Sequence, residues 1–496
     1  MSPHVSSHEA TSGWVIRRIT LVIAIALGSL RGIAQTPDPQ PPGVASDPAR
    51  PPLNPFPAEQ NWSFLLDASK RTDFFDRAKY IPFHDNPQCY LSFGLEYRIE
   101  YEYFDNWMFG AGPLDHTGPQ RICAEPGYAS FRFACGQVLT VLYRAKVRLY
   151  GGKEWRPEAG NHEDRGDVHQ AFIEIGPPVS GEHGASLRVG RQEVVLGSGR
   201  LFDNAEGPNV KMSFDGLRLI AETSHLRLDL FAVKPVEDDP GFFDDMPHHQ
   251  ESLWGSYFTI PAPIAPHGQA DLYYIGLDAK SASYNRGTAR EIRHTGGVRI
   301  FRAVERGFGY NWEANYQWGS FGNDSIRAWS VATETGFTFD QTRFHPRPML
   351  QADAYSGDGS PADHTLGTFD PLFPRGAFFT PKAIPFLGPQ NLADLHPLIQ
   401  FQLRTNITGE FSWNWYWRQS TQDGIYAFGN GIPIDSAGAS RARYLGNQGD
   451  VEIRWAPVSH VILAFNMGRF KPGRFFDNVS YNRGPIVCNI GLTYRF

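Results

Sequence analysis

Cysteine is scarce, with four in 496 residues, so no disulfide framework holds this chain together. Methionine is scarce too, at six. Charged residues make up only 20%, and 46 Lys and Arg against 52 Asp and Glu give a formal net charge of -6. No basic stretch is present to match a phosphate backbone, which excludes a nucleic-acid partner. Long apolar runs are missing as well. Ile19 to Leu30 spans 12 residues, short of the roughly 20 that a membrane helix needs, so a helical membrane protein is excluded. H-E-x-x-H, C-x-x-C, a phosphate loop and a G-x-S-x-G elbow are all absent. What the chain does have is aromatics (36 Phe, 20 Tyr, 12 Trp) and 50 Gly, the balance of a turn-rich β protein.

The N-terminus reads as an address. Arg17 and Arg18 precede the apolar run, and Gly32-Ile33-Ala34 places small residues at a cleavage site before Gln35. Residues 1–34 are therefore expected to be a signal peptide. Its removal leaves 43 basic against 51 acidic residues, a charge of -8. Residues 35–60 (TPDPQPPGVASDPARPPLNPFP and its flanks) are too rich in proline to pack and are expected to be disordered.

From Leu91 onward the pattern has period two, the signature of strands with one apolar face. Leu91, Phe93, Leu95, Tyr97, Ile99, Tyr101 and Tyr103 alternate with Ser92, Gly94, Glu96, Arg98, Glu100 and Glu102. The same alternation recurs around Tyr143–Leu149, Tyr273–Ala279, Phe308–Trp318, Ile399–Leu403, Phe411–Trp417, Val451–Trp455 and Cys488–Phe496. A soluble sandwich buries such faces against a second sheet; a membrane barrel turns them to lipid. Strands of about 9–13 residues, against the usual 5–6, favour the barrel. So do the Tyr and Trp near strand ends, which suit the membrane interfaces. The chain also ends on an aromatic, Phe496, as outer-membrane barrels do for their assembly machinery.

Short connections such as Ala456-Pro457-Val458 alternate with long Gly/Pro-rich ones at 104–137, 235–270 and 356–397. At roughly 22–25 residues per strand and connection, residues 61–496 predict an all-β transmembrane antiparallel barrel of about 18 strands. Its long loops would be extracellular and its short turns periplasmic. A barrel that wide encloses an aqueous lumen. The loop 356–397, with five prolines between Pro361 and Pro385, is expected to fold into the lumen.

The chain resembles the alginate-export family of bacterial outer-membrane barrels. The blocks that carry the resemblance are GRQEVVLGSGRLFDNAEGPNVKMSFDGLRL (Gly190–Leu219), TFDPLFP (Thr368–Pro374), NLADLH (Asn391–His396), DGIYAF (Asp423–Phe428) and GRFKPGRFF (Gly468–Phe476), in that order. Leu95 and a Cys-bearing insertion around 111–136 depart from the family pattern. The resemblance implies an outer-membrane channel for a hydrophilic, anionic saccharide or polysaccharide, with no enzymatic activity. The implied partners are outer-membrane lipid, the anionic saccharide cargo, the barrel-assembly machinery and a periplasmic export apparatus. An outer-membrane enzyme acting on lipid or polysaccharide, and a secreted carbohydrate-binding β-sandwich, remain the alternatives.

An anionic cargo needs guanidinium and ammonium groups along its path. By parity Arg98, Arg144, Lys146, Arg148, Arg188, Arg404 and Arg454 face inward, and Arg144, Lys146 and Arg148 form a ladder on one strand. Arg191, Glu193, Arg200, Asn209, Lys211 and Asp215 of the Gly190–Leu219 block join them in the expected lumen set. The competing reading is that these charges pair with Glu96, Glu313, Asp450 and their like to stiffen the wall. The acidic loop holding Asp238, Asp239, Asp244 and Asp245 beside His248-His249 offers carboxylates for Ca²⁺ at an outer rim, and otherwise no cofactor is expected. Cys123 and Cys135 lie 12 apart in what reads as one loop, and a disulfide is expected between them in an oxidising envelope. No pairing is assigned to Cys89 and Cys488, on the first and last strands.

Overall fold

The computed structural model describes residue 53 and residues 60–496 apart from 84, 107–108, 110–119, 137, 151–165, 178–183, 205–210, 240, 263–267, 303–306, 376–386, 428–432, 436–439 and 480–481. The expected signal peptide (1–34) and nearly all of the proline-rich segment (35–60) lie outside the described residues.

Eighteen strands make the wall among the described residues. They are β1 (Asn86–Asp105), β2 (Gln120–Cys135), β3 (Leu139–Tyr150), β4 (Asp167–Ile175), β5 (Gly184–Gln192), β6 (Phe214–Glu222), β7 (Arg227–Glu237), β8 (Glu251–Pro261) and β9 (Gln269–Tyr284). They continue as β10 (Gly287–Arg302), β11 (Gly307–Phe321), β12 (Asp324–Thr338), β13 (Arg347–Tyr355), β14 (Leu392–Arg404), β15 (Ile407–Arg418), β16 (Tyr444–Val458), β17 (Val461–Pro472) and β18 (Ile486–Arg495). Each pairs antiparallel with its neighbour in sequence, and β18 closes on β1 with Glu96 opposite Arg495. Closure leaves no open sheet edge, the condition for a β-structure to cross a bilayer.

The outward positions form a continuous apolar belt. Ile99, Val147, Val189, Leu217, Trp312, Val331, Leu395, Trp413, Ile453 and Ile490 are all exposed there, which is the surface lipid requires. The short turns include 223–226, 405–406 and 459–460, all on the rim opposite the loops 193–213, 356–391 and 419–443.

Three sequence boundaries move. Residues 120–135, read as loop, are β2, and residues 251–261 are β8. Ala456-Pro457-Val458 belongs to β16, across a register irregularity between Trp455 and Val458. The disulfide is also corrected: Cys135 is bonded to Cys89, not to Cys123. Cys123 and Cys135 lie on one extended strand, twelve residues or about 40 Å apart. The β1–β2 register sets Cys89 directly opposite Cys135 and Tyr101 opposite Cys123. Cys488 is a free thiol.

Before β1, short helical turns at Ser63–Leu66, Ala68–Lys70 and Asp76–Lys79 pack against the periplasmic end of the barrel. Trp62, Leu65, Tyr80, Tyr90 and Ala134 bury one another there. Phe75 stacks on Phe496 with centroids 4.3 Å apart, and His460 Nε2 meets Asp73 at 2.8 Å. Lys79 lies over the rings of Trp62 and Phe496. Burial lowers its ammonium from 10.5 to about 8, with Asp73 opposing the shift. An unfolded segment keeps that proton up to about 10.5, so docking strengthens as pH rises from about 8 to about 10.5 and is flat below 8. Unfolding of the segment, followed against pH, is expected to show this rise, and Lys79→Met to abolish it.

Candidate functional site

The lumen is not an open pipe. After Gln192 the chain leaves the wall and runs inward through residues 193–204. Arg200 reaches Glu313 of β11 at 3.3 Å, and the Ser198 hydroxyl donates to the same carboxylate at 3.3 Å. Gly197, at φ +57, lies so close to Tyr257 that a Cβ would fall 2.0 Å from its hydroxyl oxygen, so only glycine fits. The returning arm brings Lys211 to Glu96 of β1 at 3.0 Å.

A second loop, 356–391, meets the first. Phe373 and Asp203 join them by backbone bonds: Asp203 N–H donates to Phe373 O at 2.8 Å, and Phe373 N–H to Leu201 O at 3.0 Å. Arg375 grips Asp203 through both carboxylate oxygens at 3.0 and 3.1 Å. Phe202, Phe214, Phe231 and Phe373 pack their rings around this junction. A third loop, 419–443, holds the second through Asp423. Its carboxylate accepts from Thr368 Oγ1, Tyr426 Oη and the N–H groups of Asp358 and Gly424, all within 2.8 Å. Burial pushes this carboxyl up, and those four donors oppose the shift.

The bed beneath the first loop overturns one parity expectation. On β9, Tyr273, Ile275, Leu277 and Ala279 face inward and are buried, not outward. They join Phe214, Phe231, Val233, Leu253 and Tyr257 of β6–β8 under Val194, Leu196 and Phe202. This arc of the inner wall is apolar because a loop, not water, covers it.

The adjoining arc is charged. Glu96 collects four cations: Lys211 and Arg144 at 3.0 Å, Arg98 at 3.4 Å and Arg495 at 3.5 Å. Glu193 takes Arg144 at 3.0 Å and His169 at 2.6 Å. Lys146 pairs with Asp238 and, at 2.6 Å, with Asp245. Arg188 pairs with Glu174 at 2.6 Å. All but the half-buried Arg495 and Asp238 are buried.

Several members of the expected lumen set fall elsewhere. Arg191 and Asp215 face each other across β5 and β6 on the outward parity, beside Val189 and Leu217. Gln192 and Gly190 hold the inward positions, so Arg191 and Asp215 form a rim pair, with Nε–Oδ1 at 3.0 Å. Arg404 is exposed beside the 405–406 turn, and Arg454 pairs with Glu452 on its own strand. Asn209 and the side chains of Arg148 and Cys123 lie outside the described residues. Of the acidic loop, Asp244 and Asp245 come together with Asp167. Both donate their N–H groups to Asp167, and Lys146 supplies a cation to Asp245. Sequence reasoning missed Arg132, Arg218 and Arg227 on the basic arc, although all three sit on the same inward alternation. It also missed Arg375, whose partner lies 172 residues away.

No curated protein matches the sequence. Solved porins share the fold. The structure of Pseudomonas aeruginosa OccK2 (OpdF) in complex with glucuronate aligns over 82% of this chain and 96% of its own, at 10% identity and a TM-score of 0.54. P. aeruginosa OpdK with vanillate aligns over 82% and 98%, at 13% identity and a TM-score of 0.52. A BenF-like porin from Pseudomonas fluorescens Pf-5 aligns over 82% and 98%, at 9% identity and a TM-score of 0.56. The family described as Alginate export matches residues 89–484. With its closed eighteen-strand wall and most of its length inside that match, the chain belongs to the alginate export family, whose barrels are outer-membrane channels for hydrophilic substrates.

Proposed function

We propose that this channel passes short anionic saccharides, sugar acids in particular, along the basic arc of its lumen. The observation that carries the reading is the convergence of four cations on Glu96. Arg98, Arg144, Lys211 and Arg495 surround that one carboxylate, while Glu100 meets Arg98 and Glu193 meets Arg144. Guanidinium and ammonium groups gathered in a confined space, where charges act strongly, suit an anion. A carboxylate cargo can exchange with those partners step by step as it moves. The joined loops narrow the lumen and favour a short saccharide over a bulky polymer. The ligands named for OccK2 and OpdK, glucuronate and vanillate, are both carboxylates and fit the same chemistry. The pore does no covalent chemistry in this reading.

Reversal potentials in planar bilayers under a KCl gradient test it. The native channel is expected to prefer anions. Arg98→Gln with Lys211→Gln is expected to shift the reversal potential toward cations and to weaken block by glucuronate. An unchanged potential, in a variant that keeps the heat-shifted gel mobility of a folded barrel, overturns the reading.

A further inference from the structure

A polar cleft of about 380 Å³ opens on the outside of the barrel at its extracellular rim. Its origin is local. Strand β13 stops at Tyr355, which leaves the upper edge of β12 without its neighbour. Residues Thr365–Leu366 fill that edge as a short parallel pair with Ser325–Ile326. The chain between Ser356 and Thr365 therefore turns away toward Gln419, Ser420 and Asp423 instead of continuing the wall.

The floor of the cleft is Arg327 and Trp329. Both point outward. They lie opposite Trp318 and Tyr316 in the β11–β12 register, and those two rings are 40% and 51% exposed on the lipid side. Arg443 lines the far wall, held by the carbonyl oxygens of Arg418 and Gln419.

The charges in the cleft do not cancel. Its two acids, Asp358 and Asp363, are both taken by Arg286 from the β9–β10 turn, at 2.9 and 3.1 Å. Arg286 also bonds Asp324 and the carbonyl oxygens of Ser360 and Thr365. Arg327 makes no hydrogen bond or ion pair among the described residues. Two guanidinium groups thus face the cleft beyond what its acids need, beside the exposed ring of Trp329. Guanidinium forks suit phosphate or carboxylate oxygens, and a Trp at the membrane interface suits a ligand with a polar end and an apolar end.

We propose that this cleft binds the anionic sugar headgroup of an outer-leaflet glycolipid, whose acyl chains lie down the wall beside Tyr316 and Trp318. The source follows from the direction of the opening. The cleft faces the bilayer and not the pore, and the aromatic strip below it continues through Trp318, His294 and Tyr274. An unanchored sugar gains nothing from that strip. The inference stands independently of the cargo reading.

The test is titration of the detergent-solubilised full chain with a phosphorylated, acylated glucosamine disaccharide, read by native mass spectrometry. The same disaccharide without acyl chains is run in parallel. The acylated form is expected to bind. Arg327→Glu is expected to weaken it about tenfold or more, since a charge-assisted contact is replaced by repulsion. Arg327→Lys keeps part of the affinity, and Arg327→Glu leaves the reversal potential unchanged because it lies outside the lumen. The deacylated form is expected to bind far more weakly. Equal affinity in a folded Arg327→Glu barrel overturns the site. Equal affinity for the deacylated sugar overturns the lipid and makes the cleft a receptor for soluble saccharide.

Discussion

Glu96→Gln is expected to be among the most damaging single substitutions in the wall, lowering stability by about 3–5 kcal/mol, the cost of breaking a buried ion pair. Glu96 is 5% exposed and lies at the seam where β1 meets β18, opposite Arg495. Its carboxylate is shared by Lys211 from the inward loop, Arg144 from β3, Arg98 from β1 and Arg495 from β18. Removing its charge takes away the carboxylate that these four cations share. The damage therefore falls on closure of the wall and on seating of the loop together. Urea titration of the folded gel band measures it. Lys211→Met added to Glu96→Gln is expected to recover part of the loss, because it removes one of the cations that Glu96 held. A midpoint unmoved by Glu96→Gln shows instead that lumen water screens these cations.

Replacing Val195–Asp203 with a short Gly/Ser linker is expected to raise single-channel conductance severalfold. That segment carries three contacts that hold the first loop in the lumen: Gly197 under Tyr257, Arg200 on Glu313, and Asp203 in the Arg375 grip. Without it the second loop loses its partner at Phe373 as well. The apolar bed of β6–β9 then meets water, so lower thermal stability accompanies the wider pore. Asp203→Asn is the milder version. It keeps the loop but weakens the bidentate grip, and a smaller rise with added current noise is expected. Conductance unchanged by the linker variant means that the narrowest point lies elsewhere in the lumen.

Much of this was legible in the residues, for a reason of period. Side-chain direction alternates strictly along a strand, so Ser92 to Arg98 and Glu313 to Gln317 disclose a polar face wherever they sit. That alternation and the strand lengths were enough for a closed wall of about eighteen strands and for the inward positions of Arg98, Arg144, Lys146 and Arg188. The blocks from Gly190 to Leu219 and from Thr368 to Pro374 marked the two stretches that meet in the lumen, although nothing local says that they meet.

What period two does not encode is which medium covers each face. Tyr273, Ile275 and Leu277 alternate like lipid-facing residues, yet they face inward because Val194, Leu196 and Phe202 lie across them. Arg191 and Asp215 look like lumen charges, yet one residue of register turns them to the outside rim. Cys135 has a neighbour 12 residues away in sequence and bonds one 46 away, because strand pairing and not chain distance brings sulfurs together. The sequence by itself determined the wall: its strands, their faces and the charge it carries. Only the tertiary structure decided the pore, because its shape depends on how loops far apart in the chain fold inward and meet. Contacts such as Arg375 with Asp203 have no local signature.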